Sequence, residues 1–217
     1  MTIVDHHTSE HMSIGKILCT GRNYARHAAE MNDSVPKWPV IFLKPTTSLI
    51  RSGGSVVLPP MSSDVHHEVE LVVMIGRSGR NIPVDTSLTY VAAYALGLDM
   101  TARDLQTEAK TQGNPWSVAK GFDTFAPLGE FVPANEITDP QDVTLSLFVN
   151  GDVRQDGHSK DMIFTVSYLI AYCSRIFTLE RGDLLFTGTP EGVGPVFQGD
   201  RLEACSNQLP TLEVTVR

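Results

Sequence analysis

The sequence predicts a β-rich α+β domain, and three observations carry that reading. Strand-like runs outnumber helical ones and do not alternate with them as a doubly wound sheet requires. HHEVELVVMIG reads as a long apolar strand ending at Gly76, and VTLSLFVNGDVRQDG sets Asn150 and Gly151 between alternating apolar runs, a strong hairpin signal. A chain of 217 residues supports one substantial core, so we expect a single domain over residues 14–217. A polar, histidine-rich tail over residues 1–13, carrying His6, His7 and His11, is expected to be disordered.

The elements follow in order. IGKILCTG is a short strand, and RNYARHAAEMND has helical spacing with small residues before polar turn formers. VIFLKP is a second strand; SGGSVVLPP is a turn and a strand closed by prolines. After HHEVELVVMIG comes a short helix around DTSLTYV, then the strand VAAYALGLDM. Thr101 and Asp104, three apart, resemble a capping box opening the helix ARDLQTEAKTQ, and SVAKGFD reads as a loop. MIFTVSYLIAYCSRIF spaces Phe164, Ile170, Cys173 and Phe177 for a helix with one buried face. The remainder, from GDLLFTGTPEGVG to TLEVTVR, is short strands and glycine turns.

The balance of 25 acidic against 17 basic residues, with no basic run, argues against nucleic acid or an anionic membrane as the main partner. No apolar run reaches the length of a membrane span, and the N-terminus lacks the order of a secretory signal. Cys19, Cys173 and Cys205 are odd in number and show no CxxC spacing, which fits a reducing, cytoplasmic location.

Three acidic residues interrupt apolar strands: Glu68, Glu70 and Asp99. Strand alternation sends Val69, Leu71, Val73 and Ile75 to one face and Glu68, Glu70, Val72 and Met74 to the other, so the two glutamates project together. Buried like charges need pairing, protonation or a metal, and all-oxygen ligation suits magnesium or manganese rather than zinc. On that spacing alone, the wet face of an amphipathic strand is the commoner reading.

CTGRNYARHAAEM, FLKP, HHEVELVVMIG, LDMTARDLQ, PWSVAKGFD, VNGDVRQDG and FTGTPEGVGPV occur together and in this order. With them the chain resembles the fumarylacetoacetate hydrolase family from about Ile14 to its end, and most of all its small single-domain acylpyruvase and oxaloacetate decarboxylase members. The resemblance implies a mixed β-roll core with short peripheral helices, a homodimer, and Mg2+ or Mn2+ held by Glu68, Glu70 and Asp99. It also implies a catalytic dyad of His27 and Glu30, a catalytic Lys120, and substrate contacts from Arg103, Gln106 and Thr189.

The residue types agree with such chemistry. His27 and Glu30 lie three apart on one helix face, and an imidazole can take a proton from water near neutrality, though an ordinary surface helix pair has the same spacing. Arg103 offers a carboxylate a planar fork of donors, and Lys120 could face a developing enolate, while an exposed helix face and a solvated lysine are the plain alternatives. TGTPEGVG lacks the lysine and spacing of a phosphate-binding loop, and a loop that brings Thr189 to a carboxylate is preferred to a plain turn.

The reaction expected is metal-dependent hydrolysis of a carbon-carbon bond in 2,4-dioxo acids. Oxaloacetate decarboxylation or keto-enol tautomerisation, fumarylpyruvate hydrolysis, and a non-catalytic metal-binding role are the alternatives.

Overall fold

The computed structural model describes residues 2–4, 11–31 and 33–217. Its largest sheet has eight strands and runs Val40–Lys44, Ile17–Gly21, Leu184–Phe186, Val69–Ile75, Val91–Leu98, Ala126–Leu128, Leu49–Arg51, with Val132–Pro133 pairing beside Val91–Leu98. It is mixed: Leu184–Phe186 lies parallel to Ile17–Gly21 and Ala126–Leu128 parallel to Leu49–Arg51, whereas the other pairings are antiparallel. A five-stranded sheet holds the predicted hairpin, Thr144–Val149 and Asp152–His158. Its turn residues Asn150 and Gly151 have φ of 54° and 88°, the left-handed pair such a turn needs.

The alternation read from the glutamate strand is present. Val69, Leu71, Val73 and Ile75 enter a main core with Leu145, Leu147, Leu202 and Leu212 of the five-stranded sheet, while Val72 and Met74 join a second cluster with Ile17, Cys19 and Phe186. Among the described residues the four α-helices are short: α1 (Ala25–Glu30), α2 (Arg103–Gln112), α3 (Ser117–Lys120) and α4 (Val166–Ile176). Helix α4 buries Val166, Leu169, Ile170 and Cys173, as its spacing requires. This β-rich, mixed architecture with short helices is the expected fold class.

Three local expectations are corrected. HHEVELVVMIG is not one strand: it breaks at Glu68, so that Val65–His67 joins a small sheet with Thr101–Ala102 and Gly194–Pro195 while Val69–Ile75 enters the large one. No capping box opens α2. Thr101 Oγ1 donates to the Asp99 carbonyl, and Asp104 instead accepts from Ser62 Oγ at 2.6 Å and Ser63 N at 2.9 Å, tying down a loop far away in sequence. SVAK is a single helical turn rather than a loop, closed by the Lys120 N–H donating to Trp116 O at 3.0 Å.

In the N-terminal tail, Thr2–Val4 and His11–Ser13 pair antiparallel. The other tail residues up to position 10, His6 and His7 among them, lie outside the described residues. All three cysteines are free. Among the described residues no helix is long and apolar enough to cross a membrane.

Candidate metal centre and catalytic pocket

Strand register assembles the acidic trio. Val69 faces Leu98 and Glu70 faces Gly97, so the same antiparallel pairing continued by one residue sets Asp99 opposite Glu68, and the Asp99 N–H donates to the Glu68 carbonyl at 2.8 Å. Glu70 lies two residues along on the same face. One carboxylate oxygen from each of the three lies within 4.8 Å of the others, and all three residues are at most 5% exposed. The wet-face reading of the glutamates is thereby excluded.

Three cationic side chains surround them. Lys120 Nζ donates to Glu68 Oε2 at 2.9 Å and Asp99 Oδ2 at 2.6 Å; Arg103 Nη2 donates to Glu68 Oε1 at 2.5 Å. Lys44 Nζ sits 2.7 Å from Asp99 Oδ1. Its protons, however, go to the carbonyls of Met100, Lys120 and Phe125, so Asp99 Oδ1 is an ion-pair neighbour that receives no hydrogen bond from the described residues.

Burial drives the Glu68 carboxyl upward, but Lys120 and Arg103 overcome it and hold the group below the ordinary carboxylate range. Glu70 accepts from the Gly188 N–H, at 2.7 Å, and burial together with the charges of Asp99 and Glu68 pushes its carboxyl well above that range. Gly188 makes this contact at φ 97°, where a Cβ would lie 2.6 Å from the Asn23 Cβ. An orphaned buried Asp99 oxygen and a self-repelling, oxygen-only donor set are what a hard divalent cation satisfies, so the residues fit Mg2+ or Mn2+.

The wall of the adjoining pocket includes His27, Glu68, Arg103, Gln106, Lys120 and Thr189, six of the nine predicted residues. Glu70 and Asp99 lie beside Glu68, and Glu30 stands behind His27. His27 Nδ1 meets Glu30 Oε2 at 3.2 Å, and the Gly192 N–H donates to both oxygens of Glu30, at 3.1 and 3.2 Å. The dyad is therefore anchored, with the imidazole buried rather than on an open helix surface.

Arg103 Nη1 donates to Gln106 Oε1 at 2.6 Å, which turns the Gln106 NH2 away from the guanidinium, and Arg103 Nε is buried without an acceptor among the described residues. Lys120 is buried as well; burial disfavours its charge, but Asp99 and Glu68 more than compensate, so its ammonium is held above the ordinary lysine range.

Residue spacing missed three contributors. Lys44 of FLKP and Gln155 of VNGDVRQDG belong to motifs that mark the resemblance; Lys44 ends an apolar strand run, a signal of its burial, whereas the polar neighbours of Gln155 give no sign that it is buried. Arg22 forms part of the pocket wall at φ 58° and pairs with Asp33 at 3.2 Å.

The comparisons with known proteins agree with this geometry. The family model for the fumarylacetoacetate (FAA) hydrolase C-terminal region matches residues 16–217. The chain is 52% identical over 189 residues to the mitochondrial oxaloacetate tautomerase FAHD1 of Arabidopsis thaliana, covering 87% of this chain and 85% of that protein. It is 48% identical over 188 residues to the mitochondrial oxaloacetate tautomerase FAHD1 of Homo sapiens, with the same coverage. A crystal structure of fumarylpyruvate hydrolase from Pseudomonas aeruginosa in complex with Mn2+ and pyruvate superposes with a TM-score of 0.94 at 38% identity, covering 100% of this chain and 95% of that one. The buried acidic trio, the dyad and the match across almost the whole chain together place this protein in the fumarylacetoacetate hydrolase family of enzymes.

Proposed function

We propose that the protein is a Mg2+- or Mn2+-dependent enzyme that hydrolyses acylpyruvates, 2,4-dioxo acids, to pyruvate and a carboxylic acid. The observation that carries this reading is that one pocket joins Glu68, with its neighbouring carboxylates and cations, to the anchored His27–Glu30 pair. Glu68, Glu70 and Asp99 would hold a divalent ion, which would supply Lewis acidity toward a 2-oxo acid.

The orphaned Arg103 Nε, the Gln106 NH2 and the Thr189 hydroxyl hold the substrate carboxylate. His27, bound to Glu30 through Nδ1, keeps Nε2 for a water molecule and takes its proton as the oxygen adds to the C4 carbonyl. The C3–C4 bond then breaks, its electron pair passing to C3 and onto the 2-oxo oxygen as an enolate. Lys120 meets that charge as it develops, and the proton on His27 returns to C3.

Oxaloacetate tautomerisation or decarboxylation is the second reading. It needs the same kind of enolate and no water attack, and it is favoured by relatives of 48% and 52% identity that carry the oxaloacetate tautomerase name. Fumarylpyruvate hydrolysis is the first reaction on a longer acyl chain.

Acetylpyruvate, fumarylpyruvate and oxaloacetate, assayed side by side with Mg2+, test these readings. Glu70→Ala should abolish every reaction, and His27→Ala should slow acylpyruvate cleavage by roughly 10² to 10⁴. Intact cleavage in His27→Ala refutes the water activation. Turnover of oxaloacetate alone puts the second reading first, and no turnover of any of the three leaves a non-catalytic metal-binding protein. A homodimer and a cytoplasmic location belong to the same proposal, the first supported by the family resemblance and checked by sedimentation, the second by three free cysteines.

A further inference from the structure

Gln155 touches both halves of the site and belongs to neither. It comes from the second strand of the hairpin, is 1% exposed, and uses all four of its hydrogen-bonding capacities. Oε1 accepts from the Val69 N–H at 3.0 Å and faces His67 Nδ1 at 3.1 Å; Nε2 donates to Thr189 Oγ1 at 2.8 Å and to the Pro190 carbonyl at 2.9 Å.

The backbone settles which way the amide points. A main-chain N–H can only donate and a carbonyl can only accept, so the oxygen must face Val69 and the NH2 must face Pro190. His67 then carries its proton on Nδ1, where it donates to Oε1.

The same logic fixes Thr189. A hydroxyl has one proton and two lone pairs, and toward Gln155 it meets a donor, so there it must accept. Its single proton is left for another partner, and Thr189 lines the pocket with Arg103 and Gln106. A carboxylate is an acceptor only, so a hydroxyl already committed as donor is matched to it. Val69, the other anchor, lies between Glu68 and Glu70 in the strand.

We propose that Gln155 is a positioning residue that commits the Thr189 hydroxyl to donate its proton to the substrate carboxylate, while holding the Thr189–Pro190 loop against the strand of Glu70. This rests on the reading of Thr189 as a substrate contact.

Gln155→Glu is nearly isosteric and keeps an acceptor for Val69 and His67. It presents Thr189 with an acceptor instead of a donor and so turns the hydroxyl proton away from the substrate. The KM for oxaloacetate and acetylpyruvate should rise roughly ten- to hundredfold, with calorimetric pyruvate affinity falling alike. Thr189→Val should produce a similar change, and the double variant should be no worse than the weaker-binding single variant, because both remove one bond.

Additive effects, or an unchanged KM in Gln155→Glu while Thr189→Val raises it, overturn the role of Gln155 and leave Thr189 as a contact. An unchanged KM and pyruvate affinity in Thr189→Val overturn the reading of Thr189 and the proposal with it. Gln155→Met, uncharged and of similar size, removes the donor and the loop's anchor without offering Thr189 an acceptor, so it should raise KM less than Gln155→Glu and add nothing to Thr189→Val; if the glutamate variant does not fold, an unchanged KM and pyruvate affinity in Gln155→Met overturn the role of Gln155.

Discussion

Lys44 Nζ donates to the main-chain carbonyl of Lys120 at 2.5 Å, so that one buried lysine holds in place the backbone from which the other reaches Asp99 and Glu68. The same ammonium also takes the carbonyls of Met100 and Phe125 and lies 2.7 Å from Asp99 Oδ1. Lys44→Met removes the charge and strands three carbonyls and a carboxylate. Breaking a buried pair in this way costs about 3–5 kcal/mol, and we expect Tm to fall by about 10 °C or more in a thermal melt.

Burial, together with the charges of Asp99 and Glu68, raises the Glu70 carboxyl and makes the trio a metal-responsive part of the fold. Metal at about a hundredfold its Kd stabilises the native state by about 2.7 kcal/mol. Mg2+ or Mn2+ should therefore raise Tm by roughly 5–10 °C over a chelated sample, and calorimetry should show that Glu70→Gln loses that rise.

Glu30 is held from behind by Gly192, whose φ is 92° and where a Cβ would collide with the Arg154 carbonyl oxygen. Gly192→Ala must displace the loop and release Glu30 from its main-chain donor. The kcat for acylpyruvate cleavage should drop about tenfold to a hundredfold, less than in His27→Ala. Steady-state kinetics at saturating metal distinguishes this from weakened metal binding.

Asp104 supplies a pH-dependent increment of stability. Burial nudges its carboxyl upward, but hydrogen bonds from Ser62, Ser63 and Leu105 outweigh that and hold it below its ordinary 3.8. A depressed folded-state pKa stabilises the protein above the unfolded value, and the benefit disappears as pH falls through the folded one. Asp104→Asn should melt below wild type at pH 7, and the gap should close as the pH drops beneath 3.8 in a series of melts.

Local backbone rules carried much of the fold. Period-two alternation put Glu68 and Glu70 on one face, left-handed turn residues marked the hairpin at Asn150 and Gly151, and helical spacing found the buried face of α4. These features depend on residues a few positions apart. The break at Glu68 was not legible, because Val65–His67 and Val69–Ile75 pair with different strands and the sequence names no partner. Asp104 had the spacing of a cap, and only the approach of the Ser62 loop showed where its hydrogen bonds go.

By itself the sequence determined a β-rich class, the shared direction of the two glutamates and a set of residues of the right chemical types for a metal-assisted reaction. Tertiary structure decided the site. Strand register carried Asp99 across to Glu68, and the packing of loops distant in sequence brought Lys44 to Lys120, Gly192 to Glu30 and Gln155 to Thr189. The division is physical: short-range periodicity follows from backbone geometry, whereas contacts between distant segments exist only once the sheets have paired and closed around the polar groups they bury.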